Sequence, residues 1–329
     1  MIALTPFQSE WGFVCGRVSA LEARLLPPEF FQTLVSHPRL EDMMRQLQES
    51  PLRESVVSGS DWQDWSGIVD GFFHTLVRSI RHDCPNPAVA NIFILRDDYL
   101  NLKLAVNGQT DFPFAEAMLS REQLLDAAGG DTSVLPSPFR EAAEEARAAM
   151  EEDRGHTLVD VILDAAYLRH LLALGESVDA PLVQAYAADM VASRALVALW
   201  RRLKSGIPAR TLQEYMLPMG SLTPMLTAVL STGQPAEWAD VVPGELGQLL
   251  RQAFEEAAAE EAQYFEDLAA NHLVMMARRG QGQVAGPERV LSFLRTVASE
   301  THNMKLIVCG RLSRIEGAVL KRRMRVANV

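Results

Sequence analysis

The amino-acid sequence predicts an all-α protein. Across most of its 329 residues, apolar side chains recur every three or four positions, which is the period of one buried helix face. Stretches of strict apolar and polar alternation rich in Val, Ile and Thr, which are typical of strands, are almost absent from the sequence. Pro and Gly cluster between the periodic stretches and mark where the helices begin and end.

A short motif that occurs three times indicates how the helices are grouped. An acidic residue is followed five positions later by a basic one in Asp98–Lys103, Asp189–Arg194 and Glu300–Lys305, at intervals of about a hundred residues. The first and third copies also carry Asn three positions after the acid, where the second copy has Ala192. The recurrence predicts one helical unit used three times.

The first predicted unit spans residues 1–128. Its first helix is expected to run from Trp11 to Leu26, and Pro27-Pro28 ends that helix and begins the next. The prolines of Pro85-Asn-Pro87 break the chain directly before the helix that carries the first motif copy.

A linker rich in Gly and Pro, residues 129–138, leads to the second predicted unit, residues 139–215. Its motif helix is expected to begin near Pro181, because Pro fits the first turn of a helix. A basic last turn followed by Gly206 is typical of a helix end.

The third predicted unit, residues 216–329, opens with the longest uncharged stretch, Met216 to Ala236. A membrane-spanning helix needs about 20 mainly apolar residues with unbroken backbone hydrogen bonds, whereas three prolines and two glycines interrupt this stretch. We therefore expect a loop and a short helix here, and no direct membrane span. A long acidic helix from about Gly244 to Arg279 follows, and the helix after Gly286-Pro287 carries the third motif copy.

The composition limits the possible partners and compartments. Asp and Glu outnumber Lys and Arg by 42 to 31, a net charge of −11, and such a surface repels nucleic acid and anionic lipid. The three cysteines are far apart and fit a reducing compartment better than a disulfide framework. The first residues lack the charged and apolar regions of a secretion signal. We expect a cytoplasmic protein that binds no nucleic acid.

The motif has two possible roles. On a helix, its acid and Asn lie on one side, next to an apolar stripe. They can satisfy backbone groups of a loop or a neighbouring unit and so fix how the repeats pack, or they can form a ligand or partner site. We favour packing, because the second copy lacks the Asn. The predicted packing residues are Asp98, Asn101, Lys103, Asp189, Arg194, Glu300, Asn303 and Lys305.

Two charged clusters are further candidates for partner contacts. An acidic stretch from Glu255 to Glu266 could face basic loops, or it could be a solvated helix face. A basic cluster near the C-terminal end could face acidic loops or a lipid surface, or it could only complement its own helix dipole. The residues of this basic cluster are Arg311, Arg314, Lys321, Arg322, Arg323 and Arg325.

The sequence contains none of the phosphate-loop, zinc-peptidase or serine-nucleophile motifs that indicate an enzyme. His74 and His82 have no partner at metal-ligand spacing. We therefore predict no catalytic residue, no cofactor and no metal site. The alternative is an all-α enzyme with a carboxylate metal centre, which only the Glu-rich helices suggest.

Four segments in a fixed order resemble the C subunit of the V/A-type rotary ATPases, which is named the d subunit in the eukaryotic enzyme. They are Val14–Leu26, Asp97–Leu104, Leu217–Leu222 and Glu300–Leu312. None is specific alone, but together they cover the whole chain. The third segment has Met219-Gly220 where the family commonly has a Gly pair, and the Asn that the family often keeps in the middle repeat is replaced here.

The resemblance implies a funnel of three similar helical units with approximate three-fold symmetry. In this family the funnel seats the central shaft, built from subunits of the D and F type, and stands on the membrane proteolipid ring. The resemblance therefore implies a rotor part of a V-type ATPase or ATP synthase that catalyses nothing itself. It would be cytoplasmic and attached to the membrane only through the complex.

Overall fold

The computed structural model describes residues 10–37, 39–50, 65–152, 156–257 and 260–325. In these residues the chain forms sixteen α-helices and two short 3-10 helices, and no strand. The predicted all-α class is confirmed.

In chain order, the helices are α1 (Gly12–Glu22), α2 (Pro28–Ser36), α3 (Leu40–Gln48), α4 (Trp65–Asp83), α5 (Ala88–Val106), α6 (Arg121–Ala128), α7 (Phe139–Glu151), α8 (His156–Glu176), α9 (Pro181–Lys204), α10 (Ala209–Met216), α11 (Thr223–Thr232), α12 (Trp238–Val241), α13 (Gly244–Glu256), α14 (Glu261–Arg278), α15 (Pro287–Leu312) and α16 (Gly317–Arg323). The 3-10 helices are Gly220–Leu222 and Pro235–Glu237.

The chain divides into two compact units. The terminal unit combines Met1–Phe93 with Val274–Val329, and the middle unit is Ile94–Leu273. The boundaries fall within α5 and α14. The division into three similar units, which concerns sequence repeats, stays a prediction.

The terminal unit is built around α15. Its buried side chains include Phe293, Ile307 and Val308, and α1 and α4 pack against it. Leu34 of α2 and Met43 of α3 are fully buried in the cluster that surrounds Ile307. Both chain segments of this unit therefore contribute to one core, and close packing of this kind makes an interior rigid.

The middle unit is built on the antiparallel pair α8 and α9, with α7 packed against α8. Small side chains make the close contacts possible: Ala142, Ala143 and Ala146 of α7 are buried. A Cβ placed at Gly175 of α8 would overlap the Cβ of Ala187 in α9. Gly at position 175 is therefore required by the approach of the two backbones.

Within the described residues, α9 is the one helix long and apolar enough to cross a membrane by length and composition. It has 24 residues, and its most apolar window has a mean hydropathy of 1.3. The protein itself buries 61% of that window. A helix in the core of a folded unit passes the same test, so this finding is weak evidence for a span. The uncharged stretch Met216–Ala236 forms instead the short helix α11 between two 3-10 turns.

One predicted helix is interrupted. The sequence predicts a single helix from Gly244 to Arg279, but α13 ends at Glu256 and Ala257 is extended. The next helix begins at Glu261. Helix propensity differs between ordinary residues by only a few tenths of a kcal/mol, so the alanine at position 257 does not by itself keep the helix continuous.

Candidate functional site

The first motif copy ties a loop to helix α5. Asp98 is fully buried, and its carboxylate accepts hydrogen bonds from the backbone N–H groups of Met118 (2.9 and 3.1 Å) and Leu119 (3.0 Å). Three positions later, the amide of Asn101 donates to the carbonyl oxygen of Phe114 at 3.1 Å. Both side chains therefore bond backbone groups of the loop between α5 and α6.

Burial has a marked effect on the Asp98 carboxyl group. Loss of solvent raises its pKa to about 6, although the N–H groups of Leu119 and Met118 lower it. Two hydrogen-bond donors on the carboxylate favour the charged form, which burial disfavours. Both oxygens of the Asp98 carboxyl group are therefore hydrogen-bonded to the loop.

The base of the first copy belongs to a charged network on three helices of the middle unit. The amine of Lys103 lies 2.6 Å from Asp164 and 3.6 Å from Asp160 on α8. Arg202 of α9 lies 3.2 Å from the same Asp164. The network joins α5, α8 and α9, and networks stabilise more than isolated surface pairs do.

The third copy repeats this arrangement in the terminal unit. The carboxyl group of Glu300 accepts a hydrogen bond from the backbone N–H of Leu26 at 2.9 Å. The amide of Asn303 both donates to the carbonyl oxygen of Arg325 and accepts from its N–H, each at 2.8 Å. Lys305 pairs with Asp70 of α4 at 2.7 Å. As in the first copy, acid and Asn bond backbone while the base bonds an acid of another helix.

Glu300 is more strongly perturbed than Asp98. Burial raises its pKa to about 8, and only the N–H of Leu26 acts in the opposite direction. One donor offsets less of the desolvation cost than the donors around Asp98 do. The shift favours the protonated form of Glu300 in the folded protein.

The middle copy bonds differently. Asp189 on α9 lies 2.8 Å from the Nε2 of His272 on α14, so its partner is a side chain. Ala192, in the position of the Asn, is buried and carries no hydrogen-bonding side chain. The guanidinium of Arg194 lies 5.6 Å from the ring centre of Tyr167, a cation–π distance. Each of the eight predicted motif residues thus has a partner, but their role in fixing the repeats stays a prediction.

The structure places part of the basic cluster around a cavity. Arg311 donates to the carbonyl oxygen of His37 at 2.6 Å. Arg314 follows the end of α15 with a φ of 59°, in the left-handed region. Together with Arg39 they line an open cavity of about 360 Å³.

The other basic residues are separate from this cavity. Lys321, Arg322 and Arg323 form the exposed last turn of α16, where positive charge complements the helix dipole. Arg325 joins the third motif copy through its backbone. The structure does not bring all six residues of the basic cluster together, and a contact of any of them with a partner stays a prediction.

The acidic stretch makes contacts within the protein. The hydroxyl of Tyr264 donates to Glu256 at 2.6 Å, and Glu266 pairs with Arg201 at 2.6 Å. Within the described part of the chain, no three His, Cys, Asp or Glu side chains are grouped as metal ligands. No observation therefore favours the metalloenzyme alternative.

Sequence reasoning missed the partners of the motif bases. They are Asp160 and Asp164 for Lys103, the ring of Tyr167 for Arg194, and Asp70 for Lys305. The only available signal was the spacing of Asp160 and Asp164, which places both on one face of a helix. That spacing also occurs on ordinary solvated helices, so it does not identify a network.

Comparison with known proteins gives two matches. The profile of a family described as ATP synthase (C/AC39) subunit matches residues 14–323. The C subunit of the V-type sodium ATPase of Enterococcus hirae is 22% identical over 312 residues, which cover 92% of this chain and 94% of that protein. The family profile extends over all three motif copies.

Proposed function

Because the chain belongs to the ATP synthase (C/AC39) subunit family over residues 14–323, we propose that it is the C-type rotor subunit of a V/A-type rotary ATPase. In this role it is not catalytic. It couples the central shaft to the membrane proteolipid ring, either for ATP-driven ion transport or for ion-driven ATP synthesis. The family match over nearly the whole chain carries this proposal.

The packing of both units supports a coupling role. A part that transmits torque has to resist twisting, so its helices and loops need many fixed contacts. Asp98 and Asn101 hold the loop between α5 and α6, and Asn303 holds the segment after α16. Lys103 and Lys305 each bridge to another helix. These contacts are ones that a rigid coupling requires.

The proposed partners are the shaft subunits of the D and F type and the proteolipid ring. We propose that the three motif copies belong to three similar walls of a funnel with approximate three-fold symmetry. The chain would then be peripheral to the membrane and attached through the complex. Residues of the basic cluster are candidates for contacts with acidic loops of these partners, because opposite charges favour encounter.

Co-purification tests the assignment. The full chain with an affinity tag is expressed together with the D-type and F-type subunits and the proteolipid of the same organism. We expect the shaft subunits to co-purify from the soluble fraction and the ring to co-purify from detergent extracts. A chain that is folded by circular dichroism but retains neither partner would overturn the assignment.

A matched variant tests the role of the basic cluster separately. Lys321→Glu with Arg322→Glu reverses the charge at the exposed end of α16, while Lys204→Glu with Arg210→Glu does so at two exposed residues where α9 ends and α10 begins. We expect only the first variant to weaken retention of a partner. Equal retention by both would remove the end of α16 from the interface without affecting family membership.

A further inference from the structure

The open cavity lined by Arg39, Arg311 and Arg314 has the size of a small-molecule site. Its volume is about 360 Å³, and small-molecule sites have volumes of roughly 300 to 1,000 Å³. It lies between the start of α3 and the turn that joins α15 to α16, and all of its lining residues belong to the terminal unit. The cavity is therefore large enough for an anion that carries a small organic group.

The charge of this cavity is opposite to that of the whole chain. Its lining includes three arginines, and among the described residues that line it only Glu316 is acidic. Three positive charges and one negative charge give the lining a formal charge of +2, in a chain with a net charge of −11. A cleft lined by one sign of charge raises the local concentration of ligands of the opposite sign. The cavity therefore favours an anion.

Two of the three arginines are available to a ligand. Arg39 and Arg314 are exposed, and within the described part of the chain neither side chain has a hydrogen bond or an ion pair. Arg311 is half-buried, and its hydrogen bond to the carbonyl oxygen of His37 at 2.6 Å holds it in place. The cavity thus combines one fixed arginine with two unpaired ones. Guanidinium groups are well shaped to bind the oxygens of phosphate and carboxylate groups.

The backbone holds Arg314 in an uncommon conformation. Its φ of 59° lies in the left-handed region, and the next residue, Ile315, donates its N–H to the carbonyl oxygen of Gly310 at 2.8 Å. Glycine suits such a position better than a residue with a side chain. The turn by itself therefore does not explain an arginine here, whereas an anion site does.

We propose that this cavity binds a soluble phosphomonoester, which is a small organic molecule with one terminal phosphate group. Such a group carries a charge of about −1.5 to −2 near pH 7, which matches the formal charge of the lining. A carboxylate carries a single negative charge and leaves part of the positive charge uncompensated. The phosphate bonds the arginines, and the organic part contacts the exposed side chains of Leu312 and Ile315. This proposal does not rest on the rotor assignment.

Isothermal titration calorimetry of the full chain tests the proposal with phenyl phosphate and benzoate, which share a ring but differ in the anionic group. We expect phenyl phosphate to bind with a Kd of about 0.1 mM, measured in about 50 mM salt, where screening is moderate. Benzoate should bind at least about tenfold more weakly, because it forms fewer charged hydrogen bonds. Inorganic phosphate, which lacks the ring, should bind about three- to tenfold more weakly than phenyl phosphate.

A pair of variants locates the site. Arg314→Asn removes the charge, and Asn tolerates the left-handed region. Arg210→Asn is the matched change at an exposed arginine of α10, outside the cavity. We expect only the first to weaken binding of phenyl phosphate, by about five- to tenfold.

A third variant predicts a gain. Glu316→Gln removes the opposing charge from the cavity, and α16 does not use this side chain as a hydrogen-bonded cap. The affinity for phenyl phosphate should therefore rise by about threefold, because a like charge no longer repels the phosphate. A folding defect does not produce such a gain.

Vesicles separate a soluble ligand from a lipid headgroup. Phosphatidic acid also ends in a phosphomonoester, so sedimentation is measured with phosphatidylcholine vesicles that contain it or lack it. We expect no binding to either kind, because an anionic surface repels a chain of net charge −11.

Four results would overturn the proposal. They are no binding of phenyl phosphate up to about 5 mM (roughly fifty times the expected Kd), equal affinity for phenyl phosphate and benzoate, equal effects of the Arg314 and Arg210 variants, and binding to phosphatidic acid vesicles that Arg314→Asn abolishes. The comparison of phenyl phosphate with benzoate needs only the natural protein, so it decides the question even if a variant does not fold.

Discussion

The first and third motif copies carry the same residue types at the same helical spacing, yet their acids differ in surroundings. Asp98 accepts N–H groups of a loop only 20 and 21 residues further along the chain. Glu300 accepts one N–H group from Leu26, 274 residues away. The pKa is about 6 for Asp98 and about 8 for Glu300.

The same sequence pattern therefore makes two different kinds of contact between its acid and the backbone. Where a neighbouring loop supplies several N–H groups, the acid is largely satisfied and its charge is tolerated. Where a distant segment supplies one N–H group, burial raises the pKa of the acid further. The two copies therefore differ mainly in the number of N–H groups that hydrogen-bond the carboxyl group, because their residue types and spacing are alike.

The largest expected effect is at the better satisfied acid. Asp98→Ala leaves the N–H groups of Met118 and Leu119 without their acceptor in a buried place. We expect a loss of about 3 kcal/mol in the free energy of unfolding, measured by urea denaturation. Asp126→Ala, an exposed change on α6, should cost less than about 0.5 kcal/mol. Equal effects would show that the loop does not depend on Asp98.

The second prediction concerns the pH dependence at Glu300. Its pKa is about 8 in the folded protein, against 4.5 for an ordinary glutamate side chain, so the folded state holds the proton more tightly. The contribution to stability is full below pH 4.5 and is lost as the pH rises through 8. A Glu300→Gln variant does not lose stability in this way, because its side chain does not titrate. Relative to the natural protein, the variant should gain about 2 kcal/mol between about pH 6.5 and about pH 8.5.

Urea denaturation at both pH values measures this gain, with Asp98→Asn as the comparison. For Asp98 the corresponding window is lower, from 3.8 to about 6, so most of its change should be complete by neutral pH. A Glu300→Gln protein with the pH profile of the natural one would contradict the difference between the copies.

The sequence predicted the helices that carry the motif, but it did not predict the contacts of the motif side chains. Periodicity and the Pro and Gly signals predicted α5, α9 and α15, each of which carries a motif copy, because these signals are local. The partners of the acids and bases depend on which segments the core brings together, and single-sequence patterns do not contain that information. Asp70 and Asp164 are ordinary helix-surface acids in the sequence, and the interruption at Ala257 runs against the helix propensity of alanine.

The smallest expected effects are at the bases. Lys103 contacts two acids and is 20% exposed, whereas Lys305 contacts one and is 33% exposed. We expect Lys103→Met to cost about 1 kcal/mol and Lys305→Met about 0.5 kcal/mol, as is typical of partly exposed ion pairs. The exposed Lys204→Met is the control. In about 0.5 M salt the difference between the two variants should shrink, because screening weakens exposed pairs; a reversed order would contradict the ranking.

Ion transport in reconstituted vesicles tests the coupling role most directly. The ATPase is assembled with and without this chain, and ATP hydrolysis and ATP-driven ion uptake are measured in the same preparation. Without the chain, we expect the soluble head to keep hydrolysing ATP while ion uptake is lost, and adding the purified chain should restore uptake. Uptake that is equally fast without the chain would contradict the coupling role.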